Sequence, residues 1–270
     1  MSLPTLPTRV TSLDANLFSF DGQDFIGSWK TFDYGIEMTT QEGQSSSSRY
    51  VKKQATKRKK TFSLTVFHPA ASGTDRASNL SASVYTIGGS DYLGDLKSAT
   101  LTLTTKTSEG SGAVELDSYP VAGGTDLQIT ASHLVSSSAA LVALASQSET
   151  LSDFEVTVAF TVAGLAFSAP MLLSAASLKL TEGGAVQMED VTFELHGDIT
   201  APTGSTTGAK HLFVLIATGT ASLIYSVDTG SLTETGYALI TKATLTYQDA
   251  QIVEDQFEFT CQGLGTVPEE

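Results

Sequence analysis

Residues 18–30 of this sequence return, without a gap, at residues 85–97. The first copy is Phe18-Ser-Phe20-Asp-Gly22-Gln-Asp24-Phe25-Ile26-Gly27-Ser-Trp-Lys30. The second is Tyr85-Thr-Ile87-Gly-Gly89-Ser-Asp91-Tyr92-Leu93-Gly94-Asp-Leu-Lys97. Both follow the order aromatic, x, apolar, x, Gly, x, Asp, aromatic, aliphatic, Gly, x, x, Lys. An internal repeat constrains a fold more than composition does, because the architecture must be built from a unit that can occur twice. Each copy reads as a strand, a Gly-centred turn and the start of a second strand. Gly22 and Gly89 supply positive φ at the turn, and Asp24 and Asp91 can bond its backbone. A common hairpin motif used twice would give the same local signal; a duplicated module would extend it along the chain.

The similarity does extend. In the first module, Leu17 to Phe20 and Phe25 to Met38 read as strands, with Phe32, Tyr34, Ile36 and Met38 on every second position. A polar, Ser-rich loop follows at Gln41 to Arg49. Then comes a segment holding six of the fifteen basic residues: Lys52, Lys53, Lys57, Arg58, Lys59 and Lys60. It reads either as a docking patch for an acidic neighbour, such as another copy of this chain, or as the solvated face and tip of a long hairpin whose lysines discourage edge pairing. Interleaved aromatics, the mark of a nucleic-acid site, are missing apart from Tyr50. The return strand is Thr61 to His68.

Pro69 to Ser83 reads as a linker or exposed loop. The second module then places a strand at Ser98 to Lys106, a Ser/Gly loop from Ser108 and a return strand at Asp126 to His133, which makes His68 and His133 equivalent. Neither has a second ligand at metal spacing. Ser136 to Leu151 is the best helix, capped by Ser137 or Ser138, with Leu141, Leu144 and Ala145 on one face.

Two further segments also match each other. Leu172 to Leu180 resembles Leu239 to Tyr247; each is followed by an acidic turn (Glu189-Asp190, Glu254-Asp255) and a closing strand (Val191 to Gly197, Phe257 to Gly263). The turn carboxylates read as solvated. Asp198 to Lys210 reads as a Gly/Thr/Pro loop, and Phe213 to Ala217 and Ala221 to Tyr225 as strands. The order is therefore front, front, back, back. One pairing nests a compact inner domain (83–198) within an outer discontinuous one (17–82 and 199–270), after an arm at 1–16. The other builds a single large sandwich from all four pieces. The nested pair is the expectation.

Composition narrows the function. A net charge of -14 repels phosphate, so nonspecific nucleic-acid binding is not expected. The single cysteine, Cys261, excludes an intrachain disulfide and reads as a small buried hydrophobe. No apolar run approaches a membrane span, and the N-terminus lacks a signal pattern, so a soluble protein of intracellular origin is expected. No GxSxG, P-loop, Rossmann, HExxH or CxxC pattern occurs; Gly88-Gly89 and Gly183-Gly184 lie in hairpin turns without a following helix. The chain reads as a non-enzyme with no cofactor or metal.

The opening strand–Gly–x–Asp–aromatic–aliphatic–Gly pattern, the long Ser/Gly-tipped hairpin, the single mid-domain helix and the closing phrase Phe257-Glu-Phe259-Thr-Cys261-Gln-Gly263-Leu-Gly265 resemble the tail tube (major tail) proteins of long-tailed bacteriophages. The tube proteins of contractile injection systems are more distantly similar. The resemblance implies a mainly β fold of two related sandwich or barrel domains, each with a long hairpin and a flanking helix. It implies a virion protein of a long non-contractile tail, made in the host cytoplasm. Six domains would close a ring whose hairpins form an inner barrel, and rings would stack into a tube. The tape-measure protein and DNA would pass through it unbound, with no membrane partner. With two domains per chain, the ring becomes a pseudo-sixfold homotrimer. The arm at 1–16 and the Lys52–Lys60 cluster are the expected ring-to-ring contacts. Other ring-forming virion parts (tail terminator, baseplate, capsid decoration protein) and a carbohydrate-binding or adhesin module are the alternatives.

Overall fold

A computed structural model describes residues 17–25, 29–43, 52–67, 82–110, 117, 119–135, 141, 145–146, 150, 154–162, 165–179, 188–204, 208–228, 232–248 and 254–262. The arm at 1–16, the Ser-rich tip at 44–51, the linker with His68, Gly183-Gly184 and most of the helix expected at 136–151 lie outside these residues. From that helix, Ala145 and Ser146 are helical and Leu141 is buried.

In chain order the elements are β1 (Leu17–Phe20), β2 (Gln23–Asp24), β3 (Trp29–Gly43), β4 (Lys52–Phe67), β5 (Ala82–Ile87), β6 (Ser90–Asp91), β7 (Leu96–Glu109) and β8 (Pro120–Leu134). There follow β9 (Glu155–Val162), β10 (Leu165–Lys179), β11 (Met188–Leu195), β12 (Thr200–Gly204), α1 (Ala209–Ala217), β13 (Ser222–Asp228), β14 (Thr233–Gln248) and β15 (Glu254–Gln262). The fold is mainly β, with long hairpins and one described helix. All fifteen strands belong to one antiparallel sheet.

The hydrogen-bonding follows one path twice. The first run is β2-β1-β13-β14-β15-β4-β3. The second is β6-β5-β9-β10-β11-β8-β7. Strand for strand they have the same order. The first front half pairs with the last back half, and the second front half with the nearer one. The runs join where β7 pairs with β14, from Thr104 opposite Lys242 to Ser98 opposite Gln248. β12, beyond the expected boundary at 198/199, pairs with β10.

Local geometry repeats as well. Asp21-Gly22 (φ 49°, 73°) and Gly88-Gly89 (58°, 83°) each place two positive-φ residues between paired strands, the type I′ hairpin turn whose twist matches the strands it joins. In the second copy Asp91 accepts the Leu93 amide at 2.9 Å. Register shifts recur at Trp29/Thr31 and Leu96/Ser98, and again at Ile240/Lys242 and Leu173/Ala175. Such bulges bend a strand and raise its local twist.

Aromatic packing sorts largely by run. Phe20, Phe25, Phe32, Phe62, Tyr225, Phe257 and Phe259 form one cluster. Tyr85, Tyr92, His133, Phe160 and Phe167 form the other. Phe167 also meets Phe213 of α1, 6.0 Å between ring centroids.

Three expectations need correction. Phe213 to Ala217 is helix, not strand, and the expected loop at 198–210 contains β12 and the start of α1. A short apolar run does not distinguish the two by periodicity; burial of Ala209, Leu212, Phe213 and Ile216 on one helical face decides it. The helix ends in a Schellman motif: Thr220 N–H donates to Leu215 O, Gly219 N–H to Ile216 O, and Gly219 takes φ 77°. Third, Glu189 and Asp255 are not solvated turn residues. They lie in β11 and β15 at 1 % and 0 % exposure, and Glu189 meets the buried His133 Nε2 at 2.9 Å.

Candidate functional site

The chemistry-bearing residues gather where the long hairpins β3–β4 and β7–β8 run past the central strands. β3 continues to Gly43 and β4 begins at Lys52, so the basic cluster lies along a paired strand arm. Two of its faces turn toward the rest of the chain.

Arg58 makes a bidentate pair with Asp117, which lies between β7 and β8. Its Nε and Nη2 donate to the two carboxylate oxygens at 2.5 and 2.9 Å, and the backbones form an isolated bridge. A planar guanidinium matches a carboxylate at two points, which fixes orientation as well as proximity. The bond to Arg58 holds the Asp117 carboxyl below its ordinary range. Lys57 Nζ approaches Glu109 of β7 at 3.9 Å.

Lys60 pairs with Glu234 of β14, whose other oxygen accepts from the Tyr34 hydroxyl at 2.7 Å. Burial pushes the Glu234 carboxyl up, but the hydrogen bonds from Lys60 and Tyr34 outweigh it and leave it lowered. Burial and the neighbouring carboxylate together raise Tyr34. Behind them, Cys261 is buried 3.4 Å from the Tyr225 hydroxyl, and burial raises its thiol. Gln262 ties β15 to both sides: it donates to Pro120 O at 2.9 Å and accepts from Ser222 Oγ at 2.6 Å.

The six expected contact residues therefore divide. Lys57, Arg58 and Lys60 bind acidic groups of this same chain. Lys53 is exposed and 3.1 Å from Glu42 across its own hairpin. Lys59 is exposed, and the Lys52 side chain is outside the described set. Sequence reading missed Glu109, Asp117 and Glu234 as partners. The signal was the acidic stretch Glu115 to Asp117 in the second module, at the place where the first module carries its lysines.

The second feature of the site is apolar. Ile36 and Met38 on β3 are 52 % and 60 % exposed, and Leu178 on β10 is 38 % exposed. Among the described residues β3 pairs with β4 alone, and residues 173–179 of β10 pair with β11 alone. Both strands present one ladder edge to which a further strand can add. Among the described residues no group of three or more His, Cys, Asp or Glu side chains is placed to hold a metal.

No protein-family model matches the chain, and no curated protein matches it in sequence.

Proposed function

We propose that this chain is a structural virion subunit that closes into rings and stacks them into a phage tail tube, a conduit for DNA ejection. The observation that carries the reading is the doubled strand path joined by β7–β14 pairing. A chain that already joins two copies of one unit edge to edge is suited to joining more. Taking the two runs as the nested units expected from the sequence, 83–198 within 17–82 and 199–270, three chains would supply six of them. The net charge of -14 suits a channel that DNA crosses without sticking.

Exposed Lys53 and Lys59 carry the stacking role proposed for the basic cluster, with the arm at 1–16. Electron microscopy of the purified protein, with its mass in solution, tests the reading. Tubes with three 28.3-kDa chains per ring are expected. A closed ring that never stacks would redirect it to a terminator, baseplate or decoration role. A protein that stays monomeric when concentrated would refute it. Lys53→Glu combined with Lys59→Glu should leave single rings and no tubes.

A further inference from the structure

We infer that β3 of one chain adds to residues 175–179 of β10 in a second copy, antiparallel and in a defined register, reproducing between chains the β7–β14 seam made within one. This deepens the ring-forming reading by naming the seam, and it can fail separately from it.

The displacement that carries Gly22 to Gly89 also carries the Trp29/Thr31 bulge to Leu96/Ser98 and the Leu173/Ala175 bulge to Ile240/Lys242. It therefore maps β3 onto β7 and β10 onto β14. β14 uses one edge twice: residues 233–239 pair with β13, and residues 242–248 with β7. β10 pairs with β9 at 165–172 along the corresponding edge, and the described residues add no strand beyond that point. The stretch matching the β7 docking site is thus open on β10, and the strand matching β7 is the edge strand β3.

Exposure agrees with this mapping. In the intrachain seam Leu101, Leu103, Ala243 and Leu245 are 0 %, 1 %, 0 % and 4 % exposed. Their counterparts are Tyr34, Ile36, Ala176 and Leu178, of which Ile36 and Leu178 are exposed and the other two half-buried. Side chains buried in one copy of the seam and open in the other mark a joint with one half missing.

Transferring the β7–β14 register places Ala176 opposite Ile36, Ser177 opposite Gly35, Leu178 opposite Tyr34 and Lys179 opposite Asp33. Apolar residues then meet on one face, and the last pair has opposite charges. Opposite charges across strands stabilise the pairing. Each chain offers one β3 and one β10 edge, so the contact is head-to-tail and propagates until rotation closes it.

Paired cysteines test the register. Directly opposed antiparallel residues have Cα atoms about 4.5–5.5 Å apart, within disulfide range. A chain carrying Ile36→Cys and Ala176→Cys should form, on oxidation, a ladder of linked chains ending at a closed species of three; mixing the two single variants should give linked dimers only. Ile36→Cys with Ile224→Cys, also exposed, is the control and should not link. Ile36→Glu should leave monomers with an unaltered far-ultraviolet circular dichroism spectrum. Tubes without linkage above the control would overturn the register and leave the tube reading standing. Linked closed rings that never stack would do the reverse. A wild-type chain that never self-associates would overturn the seam.

Discussion

The two long hairpins begin from matching sequence and end in opposite circumstances. β7 is sandwiched between β8 and β14, and Ala99, Leu101 and Leu103 are buried to within 1 %. β3 has the same bulge and the same alternation, yet Ile36 and Met38 face outward at the sheet edge. What differs is the neighbour: β14 and the α1 helix lie against β7, and among the described strands only β4 pairs with β3. A strand's pattern sets which face is apolar; whether that face is covered depends on what the chain, or another chain, brings to it.

The largest effect separates them most directly. Leu101→Ala should cost about 2–5 kcal/mol in urea unfolding, since a buried leucine leaves both lost transfer energy and a cavity. Ile36→Ala should cost the dissociated monomer under about 0.5 kcal/mol, as expected of an exposed site. Equal costs in the monomer would mean that β3 is already covered, and would erase the contrast.

The turns sharpen the comparison from the other side, because they should behave alike. Gly22→Ala and Gly89→Ala each force a side chain to φ 73° or 83° in open space, so the penalty is conformational. Roughly 1–2 kcal/mol is expected for each. A difference above about 1 kcal/mol between the two melts would show that the turns are not equivalent.

The smallest effect lies in the link between the hairpins. Arg58→Ala should lower stability by about 1 kcal/mol or less, because both partners are partly exposed and screened. It should nonetheless speed hydrogen exchange at the outer ends of β4 and β7. The Asp117 and Glu234 carboxyls are lowered in the fold, so their contribution is fully present above the unfolded carboxylate pKa. It is lost as pH falls through the lower folded values. Protection factors at these arms, taken against the intrinsic exchange rate at each pH, should therefore fall on acidification in the wild type and change less in a variant combining Arg58→Ala with Lys60→Ala. An identical pH response in both would exclude these pairs as the cause.

Much of the fold was legible in the residues. Periodicity placed β3, the ends of β4 and β8 and the closing strand β15, and the glycine repeat placed both turns with positive φ. The helix α1 was missed because Phe213 to Ala217 is apolar enough to serve either as strand or as buried helix; Thr218-Gly219 was the available stop signal. Glu189 and Asp255 were misread because hydropathy treats an acid as solvent-facing, while a partner such as His133, remote in sequence, makes burial tolerable.

The sequence by itself determined the unit: strand alternation, turn chemistry and the duplication are local or periodic, and residues close in the chain enforce them. Only the tertiary structure decided the connections between distant segments. It paired the first front half with the last back half, set β7 against β14, and turned Lys57, Arg58 and Lys60 toward Glu109, Asp117 and Glu234. Those contacts join residues whose separation carries no periodic signal. Their energy depends on geometry and desolvation that exist only once the distant strands have paired.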